Sequence, residues 1–499
     1  MWPSEEAYSS WLFSEASFNE MYGDSSSSSE SEDDEPRQMA VRSKKAHYAV
    51  EDRFTSIFYK TYLSQSALDD RIEDDTSWLG KKFRRRFRVP YSVFREICQD
   101  INRVMGERRC TDRSGSPTVP VDVLILGSLR VLGSGCTFDA IEELTCVHEE
   151  THRLFFHNQF CKWGERVSTD KIRMPSTEEE LRHVLGLYER VGFPGCVGSV
   201  DCVHVVWDRC PAGVHSSCKG KDKIPTLAFQ VICDHTKRIT SVSQFFWGTV
   251  NDKTIAMADE VFRFLRTEGN PISDLKWTVV KDREDGDPDC ASNVNDNSIE
   301  QTRTYYNIIR QTANNIILEF TGAYLISDGG YHRWPCLVNP YHLQPPGTDL
   351  KVWSSNLESI RKDIECVFGI LKKRFLYLKH PIRIHSPYCI QRVFVTCCVL
   401  HNILLDYDGF EVWNENNVEN SVEYNVLERS ASLRAQQSRN CQGMAGVRSL
   451  NRSTYGVQDN NSEEFDVIPD DEEKYHCRRF NLIKHFKRML RFRMVHMNT

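Results

Sequence analysis

The stretch Val197-Gly-Ser-Val-Asp201-Cys-Val-His-Val-Val206 combines a run of valines with a single acidic residue, Asp201. Branched apolar residues at this density are typical of a buried β-strand, and Asp201 ends the apolar part of the run. Residues 226–233 and 240–247 have similar compositions, and the turn between them at 234–237 predicts that they form a hairpin. The sequence therefore predicts a sheet with a carboxylate at the end of one strand.

Two more acids further along the chain lie in comparable settings. Asp328 ends the apolar run Tyr324-Leu-Ile-Ser-Asp328 and precedes Gly-Gly, which predicts a second strand end. Glu365 lies in a predicted helix at 356–375, near Arg361 and Lys372 and beside a buried stripe. The predicted stripe consists of Ile360, Ile364, Val367, Leu371 and Phe375.

Two carboxylates at strand ends and one on a helix can converge on a pair of divalent cations. Hard cations of this kind bind carboxylate oxygens, and a two-metal site cleaves phosphodiester bonds. Each acid alone also has an ordinary structural interpretation. Asp328 can be a turn residue, and Glu365 can form a surface ion pair with Arg361.

The chain has 499 residues, of which 40% are hydrophobic, so it predicts about two to four domains with real cores. Its net charge of −7 conceals an uneven distribution, because residues 1–36 carry ten acids and no base. Residues 81–88 carry six cations, which suits contact with a polyanion as well as a solvated charged face. We expect no membrane span and no zinc site, and reduced cysteines.

The rest of the chain divides into regions of different composition. Residues 1–40 are predicted to be a disordered acidic tail, and 41–165 a helical region in which 137–160 resembles a helix-turn-helix. Packed helices without a DNA role explain that pattern equally well. Helices are predicted at about 252–266 and around 305–313, and residues 282–303 are predicted to be a surface insertion. Residues 408–499 are predicted to be mostly disordered, ending in a basic amphipathic helix for which nucleic acid, nuclear import, a membrane surface or a partner protein remain open.

Four motifs together resemble the PIF/Harbinger transposases, which include the Harbinger transposase-derived nucleases of the DDE superfamily. The motifs are Gly198-x-x-Asp201, Asp328-x-Gly-Tyr331-x-x-x-Pro335, Glu365-x-x-Phe-Gly-x-Leu-Lys-x-Arg-Phe375 and Cys398-Val-Leu-His-Asn402. The resemblance spans about residues 84–407. It implies an α/β fold with an RNase H-like catalytic domain at 194–407, a mixed sheet flanked by helices. The chain departs from the family at Cys202-Val203, where Gly-Thr is usual.

The resemblance also implies an activity and its residues. We expect a metal-dependent endonuclease and transposase that hydrolyses phosphodiester bonds at transposon ends and joins the 3′-OH ends to target DNA. Its expected catalytic residues are Asp201, Asp328 and Glu365. These three and Asp252 are the expected ligands for Mg²⁺ or Mn²⁺, although Asp252 fits a helix-capping role at least as well. The expected DNA-binding residues are Lys81, Lys82, Arg84, Arg85, Arg86, Arg88, Arg361 and Lys372.

The expected partners follow from the same resemblance. They are double-stranded DNA with terminal inverted repeats and a Myb-like DNA-binding protein, which places the chain in the nucleus. A homo-oligomer remains open. The alternative is a domesticated transposase-derived protein that binds DNA or chromatin without cutting it.

Overall fold

The computed structural model describes residues 50–105, 118–220, 223–282, 307–311, 314–341, 344–345, 347–408 and 469–496. The predicted acidic tail, residues 283–303 of the predicted insertion and residues 409–468 of the predicted C-terminal tail lie outside these ranges. The described residues form a mixed α/β protein with two sheets and many helices.

Helices make up the first part of the described chain. They are α1 (Val50–Thr55), α2 (Gln65–Asp69), α3 (Trp78–Phe87), α4 (Tyr91–Met105), α5 (Val121–Ser134), α6 (Phe138–Thr145), α7 (Glu149–Phe155), α8 (Cys161–Lys171) and α9 (Glu178–Arg190). Aromatic side chains such as Phe83 and Phe87 pack against one another at the centre of the first helices. Their core continues without a break into the apolar face of the main sheet.

The helix-turn-helix prediction falls on α6 and α7, which are joined at Cys146 in the left-handed conformation. In the first turn of α7, His152 is buried and its Nε2 lies 2.8 Å from the hydroxyl of Thr145. Glu149 and Glu150 occupy the outer part of the same turn. One of these carboxylates is paired with Arg153, and the DNA-binding role of this segment stays a prediction.

Strands follow from residue 196 onward. They are β1 (Cys196–Val206), β2 (Thr226–Cys233), β3 (Ile239–Val242), β4 (Phe246–Trp247), β5 (Lys276–Asp282), β6 (Asn307–Gln311), β7 (Asn315–Thr321), β8 (Tyr324–Ile326) and β9 (Leu337–Val338). The main sheet has the order β3-β2-β1-β8-β9, and β4 pairs with β2. Within it β2 runs antiparallel to β1 and β3, whereas β1, β8 and β9 are parallel. The second sheet has the order β5-β7-β6.

The remaining helices surround these sheets. They are α10 (His215–Cys218), α11 (Asp252–Ala258), α12 (Glu260–Arg266), α13 (Asp349–Arg374), α14 (Pro387–Asp408) and α15 (Pro469–His496). All five residues of the stripe predicted for α13 are buried. A helix expected at 252–266 is divided in two at Asp259, whose carboxylate caps α12. A helix expected around 305–313 is wrong, because the chain forms β6 there and pairs with β7.

Helix α14 is long and apolar enough to cross a membrane by length and composition alone, but most of it is buried inside the protein. Its motif residues fasten it to the β2–β3 hairpin. The Asn402 side chain accepts from the Ile239 amide (3.0 Å) and donates to the Ile239 carbonyl (2.7 Å) and the Lys171 carbonyl (2.8 Å). His401 lies 2.9 Å from the Lys237 carbonyl oxygen. The motif at 398–402 therefore has a structural role.

Asn402→Ala is expected to lower the free energy of unfolding by about 2–4 kcal/mol, because it leaves buried backbone groups of Ile239 without partners. The measurement is chemical denaturation followed by circular dichroism. Asp406→Ala on the same helix is the control. It removes exposed ion pairs with Lys171 and Arg238 and should change stability by no more than about 1 kcal/mol. Equal effects of the two changes would contradict this role for Asn402.

Helix α15 includes the segment predicted as a basic amphipathic helix, and its apolar face packs against the sheet edge and α13. Leu482, Ile483 and Phe486 belong to the same buried cluster as Trp277 of β5 and Trp353 of α13. Several of its cations point inward or pair with acids. Arg478 donates to the carbonyls of Thr321 and Pro335, and burial lowers its pKa to about 10. The described part of this helix is thus a component of the fold.

Candidate active site

Asp201 lies in the middle of β1 and not at a strand end as predicted, because the hydrogen-bonded ladder with β2 continues to Val206. The neighbouring strand β8 is the one that ends. In the parallel pairing of β1 with β8, Ser199 lies opposite Ile326. Asp201 and Asp328 each follow two residues later. The structure therefore brings these two residues to the same level of the sheet, just beyond the end of β8.

Asp328 is held by contacts from both sides of its loop. Its Oδ1 accepts from the Gly330 amide at 2.9 Å, and its carbonyl accepts from the Asn339 side chain at 2.7 Å. A Cβ atom at Gly330 would lie 3.1 Å from Asp328 Oδ1 and 3.4 Å from Asp252 Oδ2. The absence of a side chain at Gly330 thus leaves space between the two carboxylates.

Asp252 reaches this space from the first turn of α11. The residue that caps α11 is Asn251, whose Oδ1 accepts from the Thr254 amide at 2.8 Å. The capping interpretation of Asp252 is therefore wrong, and its carboxylate is available to the acidic cluster. Cys202, at the position where the chain departs from the family, lies 3.5 Å from the Tyr331 hydroxyl, and its burial together with the Asp252 charge raises its pKa.

Glu365 is connected to this cluster through Arg361. Arg361 Nη2 donates to Glu365 Oε1 at 2.8 Å, and Nη1 donates to Asp201 Oδ2 at 3.1 Å. Its Nε donates to Glu358 Oε2 at 3.0 Å. Glu365 is 48% exposed, whereas Arg361 is only 12% exposed. The predicted ion pair of Glu365 with Arg361 is present, and it extends to Asp201.

The electrostatics of the cluster centre on Asp201. Burial, together with the charges of Asp328 and Asp252, raises its pKa to about 6 against the opposing effects of the Cys202 amide and Arg361. Burial and like charges both disfavour the ionised form of a carboxylate. A cation placed among these acids would offset both effects.

The raised pKa of Asp201 predicts a dependence of stability on pH in metal-free protein. The folded state holds this proton more tightly, so its contribution to stability is complete below about pH 4 and is lost as pH rises through about 6. Asp201→Asn has no such proton. At each pH we compare the free energy of unfolding of Asp201→Asn with that of wild type. We expect this difference to favour the variant by about 2 kcal/mol more at pH 7.5 than at pH 4.

Urea denaturation in EDTA at the two pH values measures this change. Asp139→Asn, which replaces an exposed acid in the first turn of α6, is the control and should show the same difference from wild type at both pH values. If Asp201→Asn also showed a constant difference, the proton on Asp201 would not be the cause.

The four acids fit divalent cations in their chemistry, since each offers the carboxylate oxygens that Mg²⁺ and Mn²⁺ bind. The positions of the four carboxylates fit a shared cation less well than their chemistry does. Among the described residues, no three His, Cys, Asp or Glu side chains form a group that could hold one ion in the observed conformation. The charges of Asp252 and Asp328 both act on Asp201, whereas Glu365 is joined to Asp201 only through Arg361.

The predicted DNA-binding residues fall in two places. Lys372 on α13 donates to the His204 carbonyl of β1 at 3.2 Å, so both Lys372 and Arg361 face the strand of Asp201. The other six belong to α3 and its C-cap. Three of them make contacts within the protein: Arg84 with Asp75 and Asp408, Arg86 with Tyr62, and Arg88 with the Gly133 carbonyl. Lys81 and Arg85 are the exposed members of this group, and Lys82 lies over the Trp78 ring.

Sequence reasoning missed two residues that shape the site. Asn339 holds the backbone of Asp328, and Glu358 shares Arg361 with Asp201 and Glu365. Glu358 carries a weak signal in the sequence, because it lies three residues before Arg361 on the same helix and can pair with it. Asn339 carries none, since its contact depends on the path of the chain from β8 to β9.

Comparisons with known proteins agree with this geometry. The family described as "Plant transposon protein" matches residues 170–284 and 288–411, which contain all four acids. "Protein ALP1-like" from Arabidopsis thaliana is 20% identical over 358 residues, covering 71% of this chain and 77% of that protein. "Putative nuclease HARBI1" from Homo sapiens is 21% identical over 247 residues, covering 49% of this chain and 55% of that protein. No solved structure gives a significant match.

A mixed α/β fold with an acidic cluster beside the parallel strands β1 and β8, matched by a transposon family, defines a protein of transposase origin. The chain belongs to the PIF/Harbinger-type family of transposase-derived proteins.

Proposed function

We propose that this protein is a divalent-metal-dependent DNA endonuclease of PIF/Harbinger type. The observation that carries the proposal is the gathering of Asp201, Asp252 and Asp328 where β1 and β8 run parallel, with Glu365 joined to Asp201 through Arg361. The relative named "Putative nuclease HARBI1" supports the same activity. The sheet, with β1, β8 and β9 parallel and β2 antiparallel, is compatible with the RNase H-like arrangement of this family.

Asp201, Asp328 and Glu365 would hold Mg²⁺ or Mn²⁺, with Asp252 as a further ligand. Bound cations of this kind activate water and offset charge on the phosphate. The chain's own residues prepare the place for this chemistry. Burial of Asp201 between strand and helix keeps bulk water from one side, and the exposed Glu365 lies where a DNA strand can approach. Hydrolysis at a transposon end would free a 3′-OH that is then joined to target DNA.

DNA would be held by cations on two elements. Lys372 and Arg361 lie beside the acids, and a phosphate bound there would be close to the carboxylates. Lys81 and Arg85 are exposed on α3, where they can contact phosphates further along the duplex without sequence readout. We also propose a Myb-like partner for site recognition and a nuclear location, both from the family.

The test is a nicking assay with full-length protein, a labelled duplex that carries a terminal inverted repeat, and Mn²⁺. We expect nicked strands with a free 3′-OH in Mn²⁺ and no nicked strands in EDTA. Both results are expected in the presence and in the absence of the Myb-like partner. Binding of the duplex without any nicking, with the partner present, would replace this proposal with the alternative of a DNA- or chromatin-binding protein that does not cut.

A further inference from the structure

Arg361 occupies an unusual position for a cation on the surface of a helix. Its side chain is only 12% exposed, and its Nη1, Nε and Nη2 atoms each donate to a different carboxylate, those of Asp201, Glu358 and Glu365. The three distances are 3.1, 3.0 and 2.8 Å in that order. One guanidinium thus joins a strand of the main sheet to two turns of α13.

This bridge has a consequence for metal binding. Mg²⁺ needs its oxygen ligands at about 2.0–2.1 Å, so two carboxylates that share an ion must approach each other closely. Asp201 and Glu365 instead bind separate nitrogens of the guanidinium, which lies between them. While Arg361 keeps both contacts, Asp201 Oδ2 and Glu365 Oε1 are occupied by the guanidinium and are not available to an ion.

Arg361 also has an anchor that does not belong to the proposed metal ligands. Glu358 lies one turn before Arg361 on α13 and accepts from Nε, whereas Asp201 and Glu365 accept from the two terminal nitrogens. The terminal nitrogens can therefore leave Asp201 and Glu365 while the Glu358 contact retains the side chain near the site. A guanidinium released in this way has free donors for a phosphate, which matches its predicted DNA contact.

We propose that Arg361 is the internal counter-cation of the metal-free site. It neutralises Asp201 and Glu365 until a divalent cation binds, and it competes with that cation for the same carboxylate oxygens. This inference rests on the proposed function, because it assumes that these two acids are metal ligands. Arg361 is a positioning residue, so its effect should be visible in metal affinity and in the stability of metal-free protein without any measurement of cleavage.

The experiment compares full-length wild type with Arg361→Met at pH 7.5. Mn²⁺ binding is measured by electron paramagnetic resonance of the free ion, and thermal unfolding is measured in EDTA and in saturating Mn²⁺. We expect Arg361→Met to bind Mn²⁺ about fivefold to tenfold more tightly, at the lower end of typical coupling between two sites. It should unfold at a lower temperature than wild type in EDTA, because Asp201 loses its partner, and Mn²⁺ should stabilise it more than wild type.

Two further variants make the result specific. Lys362→Met removes an exposed charge next to Arg361 and should leave Mn²⁺ affinity unchanged. Arg361→Lys keeps the charge but cannot bridge in the same way, so it should bind Mn²⁺ with intermediate affinity. If Arg361→Met does not fold, Arg361→Lys carries the test, and an affinity equal to that of wild type would then overturn the proposal.

The outcomes separate this inference from the function on which it rests. If wild type binds Mn²⁺ and Arg361→Met binds it equally or more weakly, Arg361 is not a competing cation, and the proposed nuclease is unaffected. If neither protein binds Mn²⁺ at millimolar concentration, the metal site itself is absent, and both proposals are wrong.

Discussion

Asp328→Asn is expected to reduce Mn²⁺-dependent nicking by about 10³-fold or more. A metal site supplies several kcal/mol of transition-state stabilisation, and each 1.36 kcal/mol is a factor of ten in rate. An asparagine retains the size of the side chain and can still accept from the Gly330 amide, so the loop should keep its shape. The lost charge removes a ligand without disturbing the fold. Initial nicking rates with circular dichroism of the same samples measure both effects.

Asp252→Asn and Asp139→Asn complete the series. Asp252 flanks the same space at Gly330, and its substitution should reduce nicking by less than that of Asp328, because the resemblance implies it only as a further metal ligand beside the three catalytic acids. Asp139 is exposed on α6, so the Asp139→Asn variant should nick DNA at the same rate as wild type. If Asp328→Asn nicked DNA as fast as wild type, the acidic cluster would not be the catalytic site.

Phe486→Ala is expected to lower the free energy of unfolding by about 3–5 kcal/mol, the usual cost of truncating a buried phenylalanine. The ring is 2% exposed and lies 5.8 Å, between centroids, from the ring of Phe193 just before β1. A Cβ atom at Gly192 would come within 2.7 Å of it, so the surroundings are closely packed. Equilibrium denaturation in urea measures the loss.

Phe480→Ala is the matched control because Phe480 lies on the same helix and is 51% exposed. It should change stability by no more than about 0.5 kcal/mol. Comparison of Phe486→Ala with Phe480→Ala also tests whether α15 is part of the folded core. If α15 were a free basic arm that binds nucleic acid, both variants would be as stable as wild type and would differ from it only in DNA affinity.

Much of the site could be predicted from local patterns. The buried stripe of α13 has the period of a helix, so the position of Glu365 beside it followed directly from the sequence. The valine-rich run around Asp201 identified β1, although not its length, because pairing with β2 and not composition decides where a strand ends. The same limit explains the error at β6, where pairing with β7 outweighs the local pattern.

The sequence by itself determined which acids could act, which elements carry them and to which family the chain belongs. Only the tertiary structure decided that Asp252 and Asp328 meet at Gly330, that the guanidinium of α13 reaches Asp201, and that α15 packs into the core. The physical reason is the same in each case. Local periodicity specifies which face of an element is apolar or charged, but the partner of that face comes from residues distant in sequence, which only the folded chain brings into contact.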